Sequence, residues 1–225
     1  MPLVCRPKCR FCSKPVPDKY AIWEQCSDCT RKMREGKDLV HRLRPYAFIK
    51  AVSAGMYIPD ISDRGTFGNI LLRMKEDSGD PLLISEAMKY VFDEELNKIH
   101  FDLIVPIPPN LNGRGTAYVL AELLSKMIMK PLIDIIQFKA GLMSSKELSG
   151  EDKFNNARDS VTLLDIDDIE SRHILLVDDI ITTCGTAHWC SLELLRKGAE
   201  SVHVLSACRT VRKDHLDFIG YSGKY

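Results

Sequence analysis

Two aspartates, Asp178 and Asp179, follow directly on four apolar residues, Ile174-Leu175-Leu176-Val177, and soon afterwards comes Thr182-Thr183-Cys184-Gly185-Thr186. Side chains alternate along an extended chain, so the two carboxylates point to opposite sides of it. One or both can accept hydrogen bonds from the vicinal hydroxyls of a sugar. In the stretch after them, small residues let backbone N–H groups turn toward one point, and three Thr hydroxyls add donors. A helix starting there brings the positive end of its dipole, which favours an anion, and phosphate is the natural guest. The set predicts a phosphorylated ribose held at both ends. The bland alternative is polar residues at a strand end and a helix cap; their ordered occurrence in one short loop favours the site.

Three elements must position these groups. The apolar run 174–177 predicts a buried strand. An amphipathic run with Leu192, Leu194 and Leu195 stops at Gly198, and a second apolar run covers 202–207. Strand, loop, helix, strand is the unit of a parallel sheet covered on both faces. The loop then sits at the carboxyl end of a strand, where open α/β sheets bind ligands. Upstream, the pattern predicts a strand over 47–57, helices over 65–75 and 82–99, a strand over 101–109 ending in prolines, and a helix over 116–129 after the loop 110–115. Lys75 reads as a solvent-facing residue at a helix end, with reach into the cleft as the alternative. The acidic turn Asp165, Asp167, Asp168 and Glu170 reads as a solvated hairpin.

With 225 residues and 45% of them hydrophobic, the chain suffices for one ordinary domain plus a small appendage. Formal charge is zero overall, yet residues 1–50 hold twelve Lys/Arg against five Asp/Glu, a net of +7. That asymmetry points the N-terminal part toward an anionic partner. No apolar stretch reaches the ~18–20 residues of a membrane span, and no apolar signal core follows Met1. The expectation is a cytoplasmic protein.

Five of the eight cysteines lie within the first 29 residues. Cys9-x-x-Cys12, a thirteen-residue spacer and Cys26-x-x-Cys29 have the knuckle spacing of a tetrahedral zinc ribbon. A redox dithiol would need a thioredoxin-like βαβ context, which this segment lacks. Cys5 is either an alternative ligand or a spare thiol, and the spare is favoured. Arg6, Lys8, Arg10, Lys14, Arg31, Lys32 and Arg34 surround the knuckles, with Phe11, Tyr20 and Trp23 interleaved. Such a mixture can grip single-stranded DNA through phosphate contacts and stacking; otherwise it is a solvated basic surface over a minimal core. The division expected is a ribbon and basic linker helix over 1–44, then a second domain over 45–225.

VDDIITTCGT resembles the phosphoribosyl-pyrophosphate (PRPP) fingerprint of type I phosphoribosyltransferases, in which two acidic residues precede a Thr-Gly-x-Thr phosphate loop. Cys184 stands where that family usually has Gly, and a backbone needing positive φ there would be strained by its side chain. More of the chain resembles the ComF family, whose members join a zinc ribbon to a phosphoribosyltransferase domain. Val105-Pro106-Ile107-Pro108 and Arg114-Gly115 match that family's stretch, though Thr116-Ala117-Tyr118 continues differently. Leu148-Ser149 through Lys153 to Asn156 matches a segment thought to be mobile, with Lys153 in place of Arg.

The resemblance implies an α/β fold, a type I phosphoribosyltransferase-like parallel sheet flanked by helices, with a small N-terminal zinc ribbon. It implies that Asp178 and Asp179 hold the ribose hydroxyls and stabilise positive charge on the ring. Thr182, Thr183, Cys184, Gly185 and Thr186 would hold the 5-phosphate. Ile107 and Pro108 would belong to the pyrophosphate loop, with Arg114 as its basic side chain. Lys153 and Lys146 would sit in a lid over 139–159. Mg²⁺ would enter with PRPP, and a nitrogen nucleophile would displace pyrophosphate. Enzymes that salvage 6-oxopurines carry an acidic residue where this chain has Thr182, which argues against those acceptors. The family name implies a link to DNA uptake or processing.

Overall fold

A computed structural model describes residues 46–57, 66–76, 79–109, 115–139, 158, 160–164, 169–182 and 184–210. Cys9, Cys12, Cys26 and Cys29, expected to form a zinc ribbon, the expected linker helix and the expected boundary at residue 44 lie outside the described residues, as do Thr183, Arg114, Lys146, Lys153 and residues 165–168. The described residues from Ala47 to Thr210 belong to one compact unit.

Four strands form a parallel sheet in the order β1-β6-β5-β2. They are β1 (Ala51–Tyr57), β2 (Leu103–Pro106), β5 (His173–Ile181) and β6 (Ser201–Thr210). A short antiparallel ribbon pairs β3 (Ile136–Phe138) with β4 (Val161–Leu163). The described residues also form four helices, α1 (Thr66–Lys75), α2 (Pro81–Glu95), α3 (Thr116–Ile128) and α4 (Gly185–Arg196).

The strands are apolar because both faces of the sheet are covered. Leu175, Val177 and Leu205 pack in one core with Leu71 of α1, Ile84 and Met88 of α2, and Leu120 and Leu124 of α3. Each of these is buried to 2% exposure or less. Helix α4 packs against β4, β5 and β6 and buries Cys190 and Leu194 outside that core.

Connectivity explains which helix takes which face. Past β2 the chain runs through α3 to Pro131–Ile133, which lies parallel along the free edge of β2, with Ile104 N donating to Pro131 O and Ile133 N to Ile104 O, both at 2.9 Å. Past β5 it runs through α4 to β6, on the other side. Right-handed crossovers leading in opposite directions must lie on opposite faces. The sheet therefore has a topological switch point between β2 and β5.

Several boundaries differ from expectation for local reasons. The first strand begins at Ala51 rather than 47; Ala47 N donates instead to His188 Nδ1 at 3.0 Å. Helix α2 starts at Pro81, with Asp80 as its cap accepting the Leu82 N–H at 2.8 Å, and stops at Glu95 rather than 99. Strand β2 is shorter than 101–109 because Pro106, Pro108 and Pro109 have no N–H to give a ladder. Helix α3 ends at Ile128, where Met129 turns left-handed at φ 53°. The ribbon β3–β4 has no counterpart in the sequence-based expectation.

Helix α1 carries Phe67, Ile70, Leu71 and Met74 on one stripe, the 3.6-residue period of a half-buried helix. Its entry is set by a close approach: a Cβ on Gly55 would lie 2.7 Å from the Phe67 ring. The opposite end of α1 carries Arg73 and Lys75 in the last turn.

Candidate functional site

The aspartates lie near the carboxyl end of β5, at the switch point. They are within the strand, not just after it: pairing with β6 continues through Asp178↔Ser206 and Ile180↔Cys208 to Ile181↔Arg209. Just past the neighbouring strand β2, Ile107 N donates to Val177 O at 2.8 Å. That bond sets Ile107 and Pro108, where β2 ends, beside the residue preceding the aspartates.

Alternation separates the two carboxylates as the sequence predicts. Asp179 shares the side of Leu175 and Val177, which face the core with α1. Lys75 meets it there, with Nζ 2.5 Å from Oδ2. Lys75 is thus an ion-pair partner in the cleft, a correction to its reading as a solvent-facing helix end. Asp178 points the other way and is 9% exposed, against 22% for the Asp179 side chain. Burial, and then the neighbouring Asp179 charge, push the Asp178 carboxyl well above the usual carboxylate range. The Asp179 N–H, donating to Asp178 Oδ1 at 2.8 Å, and the Lys75 charge oppose this in part. Asp179 Oδ1 in turn accepts the Ile180 N–H at 2.6 Å.

Next comes the turn into α4. Cys184 is its N-cap at φ 62° and ψ 9°, the left-handed region, and makes no side-chain cap bond. The sequence left open whether this position needs positive φ; the structure shows that it has it, on a non-glycine residue. The Cys184 carbonyl accepts the His188 N–H at 2.9 Å, closing the first turn. Gly185 is buried and Thr186 half-buried; both belong to the helix's opening turn rather than to a loop before it. Thr182 is exposed, and its hydroxyl lies 2.9 Å from that of Thr210 at the end of β6. Backbone N–H groups at a helix start have no partners within the helix and suit an anion.

Three buried thiols stand near the site. Cys208, paired with Ile180 in the sheet, is pushed up to about 12, first by burial and then by the Asp179 charge. Cys190 is raised too, by burial and then by Asp178. Neither is a nucleophile at neutral pH. The third, Cys184, is the residue that turns the chain into α4.

The structure places Ile107 and Pro108 just past β2, Asp178 and Asp179 near the end of β5, Thr182 beside Thr210 at the end of β6, and Cys184, Gly185 and Thr186 at the start of α4. Of the lid expected over 139–159, only Lys139 and Arg158 are described. The Lys139 N–H extends the β3–β4 ribbon by donating to Ser160 O at 2.8 Å, and the Arg158 guanidinium lies 5.6 Å from the Trp189 ring of α4, within cation–π range. Sequence reasoning set Lys75 aside and did not find Thr210; neither carries a local signal, because each reaches the cleft from a distant element.

No protein-family model and no curated protein matches this chain. Solved structures similar to it include a purine phosphoribosyltransferase from Pyrococcus horikoshii, at TM-score 0.40 and 17% identity over 59% of this chain and 85% of that one. Another is the glutamine PRPP amidotransferase from B. subtilis, at 0.38 and 14% over 66% of this chain and 29% of that one. A third is an allosteric regulatory enzyme of purine biosynthesis, at 0.39 and 14%, covering 56% of this chain and 26% of that one. The match spans less than a third of the length of the last two. Likeness at this level carries no argument about activity, and the functional reading rests on the residues of the crevice. Among the described residues no helix is long and apolar enough to cross a membrane.

Proposed function

We propose that this chain is a ComF-like phosphoribosyltransferase that binds PRPP and passes its ribosyl group to a nitrogen nucleophile, releasing pyrophosphate. One observation carries the reading: a carboxylate pair at the end of a central parallel strand, at the switch point, followed within six residues by a left-handed turn that opens a helix. Carboxylates suit the ribose hydroxyls, and the helix start suits the 5-phosphate.

In this reading Asp178 and Asp179 stabilise the positive charge that gathers on the ribose ring, while backbone amides of the α4 start hold the phosphate. Ile107, Pro108 and Arg114 meet the pyrophosphate, and Lys153 adds charge on closure. Mg²⁺ keeps waters and takes substrate phosphate oxygens with one or two carboxylates; Asp178 and Asp179 are the pair that would serve it. The hydroxyl of Thr182 supplies no proton acceptor of accessible pKa, consistent with an acceptor other than a 6-oxopurine.

Zinc at Cys9, Cys12, Cys26 and Cys29 completes the proposal. The charge excess of residues 1–50 supports a second role, single-stranded DNA binding by the N-terminal segment, with the PRPP site regulatory. Binding that falls steeply with salt and vanishes on deletion of 1–44 is its expected signature.

The deciding experiment is calorimetric titration of the full chain with PRPP and Mg²⁺. Native protein is expected to bind and Asp179→Asn to lose binding. A native protein that gives no heat of PRPP binding refutes the proposal.

A further inference from the structure

Lys75 ends α1 with its ammonium on Asp179 Oδ2. The second oxygen, Oδ1, accepts the Ile180 N–H. Each carboxylate oxygen offers two lone-pair positions; the Ile180 N–H takes one on Oδ1, and the ammonium lies 2.5 Å from Oδ2. Two acceptors a carboxylate's width apart match the vicinal hydroxyls of a furanose. Left to itself, the terminal torsion of an aspartate is broad; a backbone bond on one oxygen and an ammonium on the other hold the plane in place.

We propose that Lys75 is a positioning residue that fixes the Asp179 carboxylate so that both of its oxygens face the 2- and 3-hydroxyls of a bound ribose. The inference rests on the sugar-phosphate reading above and extends it to specificity: the site distinguishes ribose from 2-deoxyribose.

Three further observations bear on this. Asp178 is buried whereas the Asp179 side chain is part-exposed, so a sugar meets Asp179 first. The ion pair is only partly buried, with Lys75 37% and Asp179 22% exposed; pairs this open add little to folding, and their main effect here is on orientation. Finally, Lys75 is held by the packing of its own helix, with Leu71 fully buried one turn earlier and Phe67 against Gly55. A cation in the last turn of a helix is also favoured by the dipole.

Loss of the ammonium also removes a positive charge beside an anionic ligand, which weakens every sugar phosphate alike. The ratio between two sugars therefore isolates the positioning role. The test is titration of the full chain with ribose 5-phosphate and with 2-deoxyribose 5-phosphate, in native protein and in Lys75→Arg, Lys75→Gln and Lys75→Met. Native protein is expected to favour the ribose form by about 10-fold or more, the worth of a hydrogen bond to a charged group. Lys75→Arg keeps that preference, whereas Lys75→Gln and Lys75→Met reduce it to within about 3-fold. Thermal melts accompany each variant, and Lys75→Gln, which keeps most of the side-chain stem, decides if Lys75→Met melts early. Neutral variants that retain the native ratio overturn the role of Lys75 and leave the sugar-phosphate site standing. Native protein that binds neither sugar phosphate overturns both.

Discussion

Replacing Cys184 by glycine and by alanine separates the backbone cost of the turn from the packing of the thiol. The residue sits at φ 62°, where an L side chain costs about 1–2 kcal/mol relative to the right-handed region. Glycine escapes that cost and alanine does not. Against this, glycine gives up about 0.4–1 kcal/mol more conformational freedom from the unfolded chain. The balance puts Cys184→Gly above Cys184→Ala by about 0.5–1 kcal/mol. At an ordinary helical position the order is reversed, with alanine ahead by about 0.5–1 kcal/mol. The native side chain is 5% exposed, and both variants lose the same buried thiol, so that loss cancels from the comparison. Urea denaturation at constant m reads the difference as a shift in midpoint, and about 1 kcal/mol corresponds to roughly 2–4 °C in Tm for a unit of this size. Cys184→Val, which places a β-branched side chain in the left-handed region, falls below both. Alanine equal to or above glycine would refute the strained turn at the start of α4. If the order holds, Cys184→Gly relieves that strain where the phosphate is proposed to bind, and its PRPP affinity is expected to equal or exceed the native value.

Asp178→Asn is expected to stabilise the protein at pH 7. The folded-state pKa is raised, first by burial and then by Asp179, so the folded form holds the proton more tightly than the unfolded chain. Stability from that proton is complete below the unfolded value of about 3.9 and is lost as pH rises through the folded pKa. The advantage of Asn over Asp should therefore shrink on acidification and vanish below about pH 4; an advantage that is independent of pH would count against burial as its cause. Removing the proposed zinc should unfold residues 1–44, because structural zinc sites supply ~10–16 kcal/mol of folding free energy, while the melt of 47–210 persists. Metal analysis should find about one zinc per chain, lost in Cys9→Ser, as four thiolates on one ion require; a full zinc content in that variant would break the assignment.

Legibility in the sequence followed the range of the interactions involved. Ile174–Val177 and residues 202–207 read as strands because burial on both faces demands continuous apolar runs. The opposed carboxylates read correctly because alternation is a property of extended backbone. The continuation of β5 through Asp179 to Ile181 did not, since aspartate is a poor strand former and the extension comes from pairing with Cys208 and Arg209 of β6. The β3–β4 ribbon was missed because three-residue strands carry too little periodicity to register.

The sequence by itself determined the chemistry available: a carboxylate pair, a hydroxyl-rich stretch with a cysteine in it, and an α/β order of elements. All of these arise from local covalent and conformational preferences. Only the tertiary structure decided that the pair stands at a switch point between β2 and β5, that Asp178 is buried while Asp179 faces the cleft, and that Lys75 holds Asp179. The positions of α1, β2 and β5 relative to one another come from packing between residues about a hundred apart in the chain, and no local pattern encodes that arrangement.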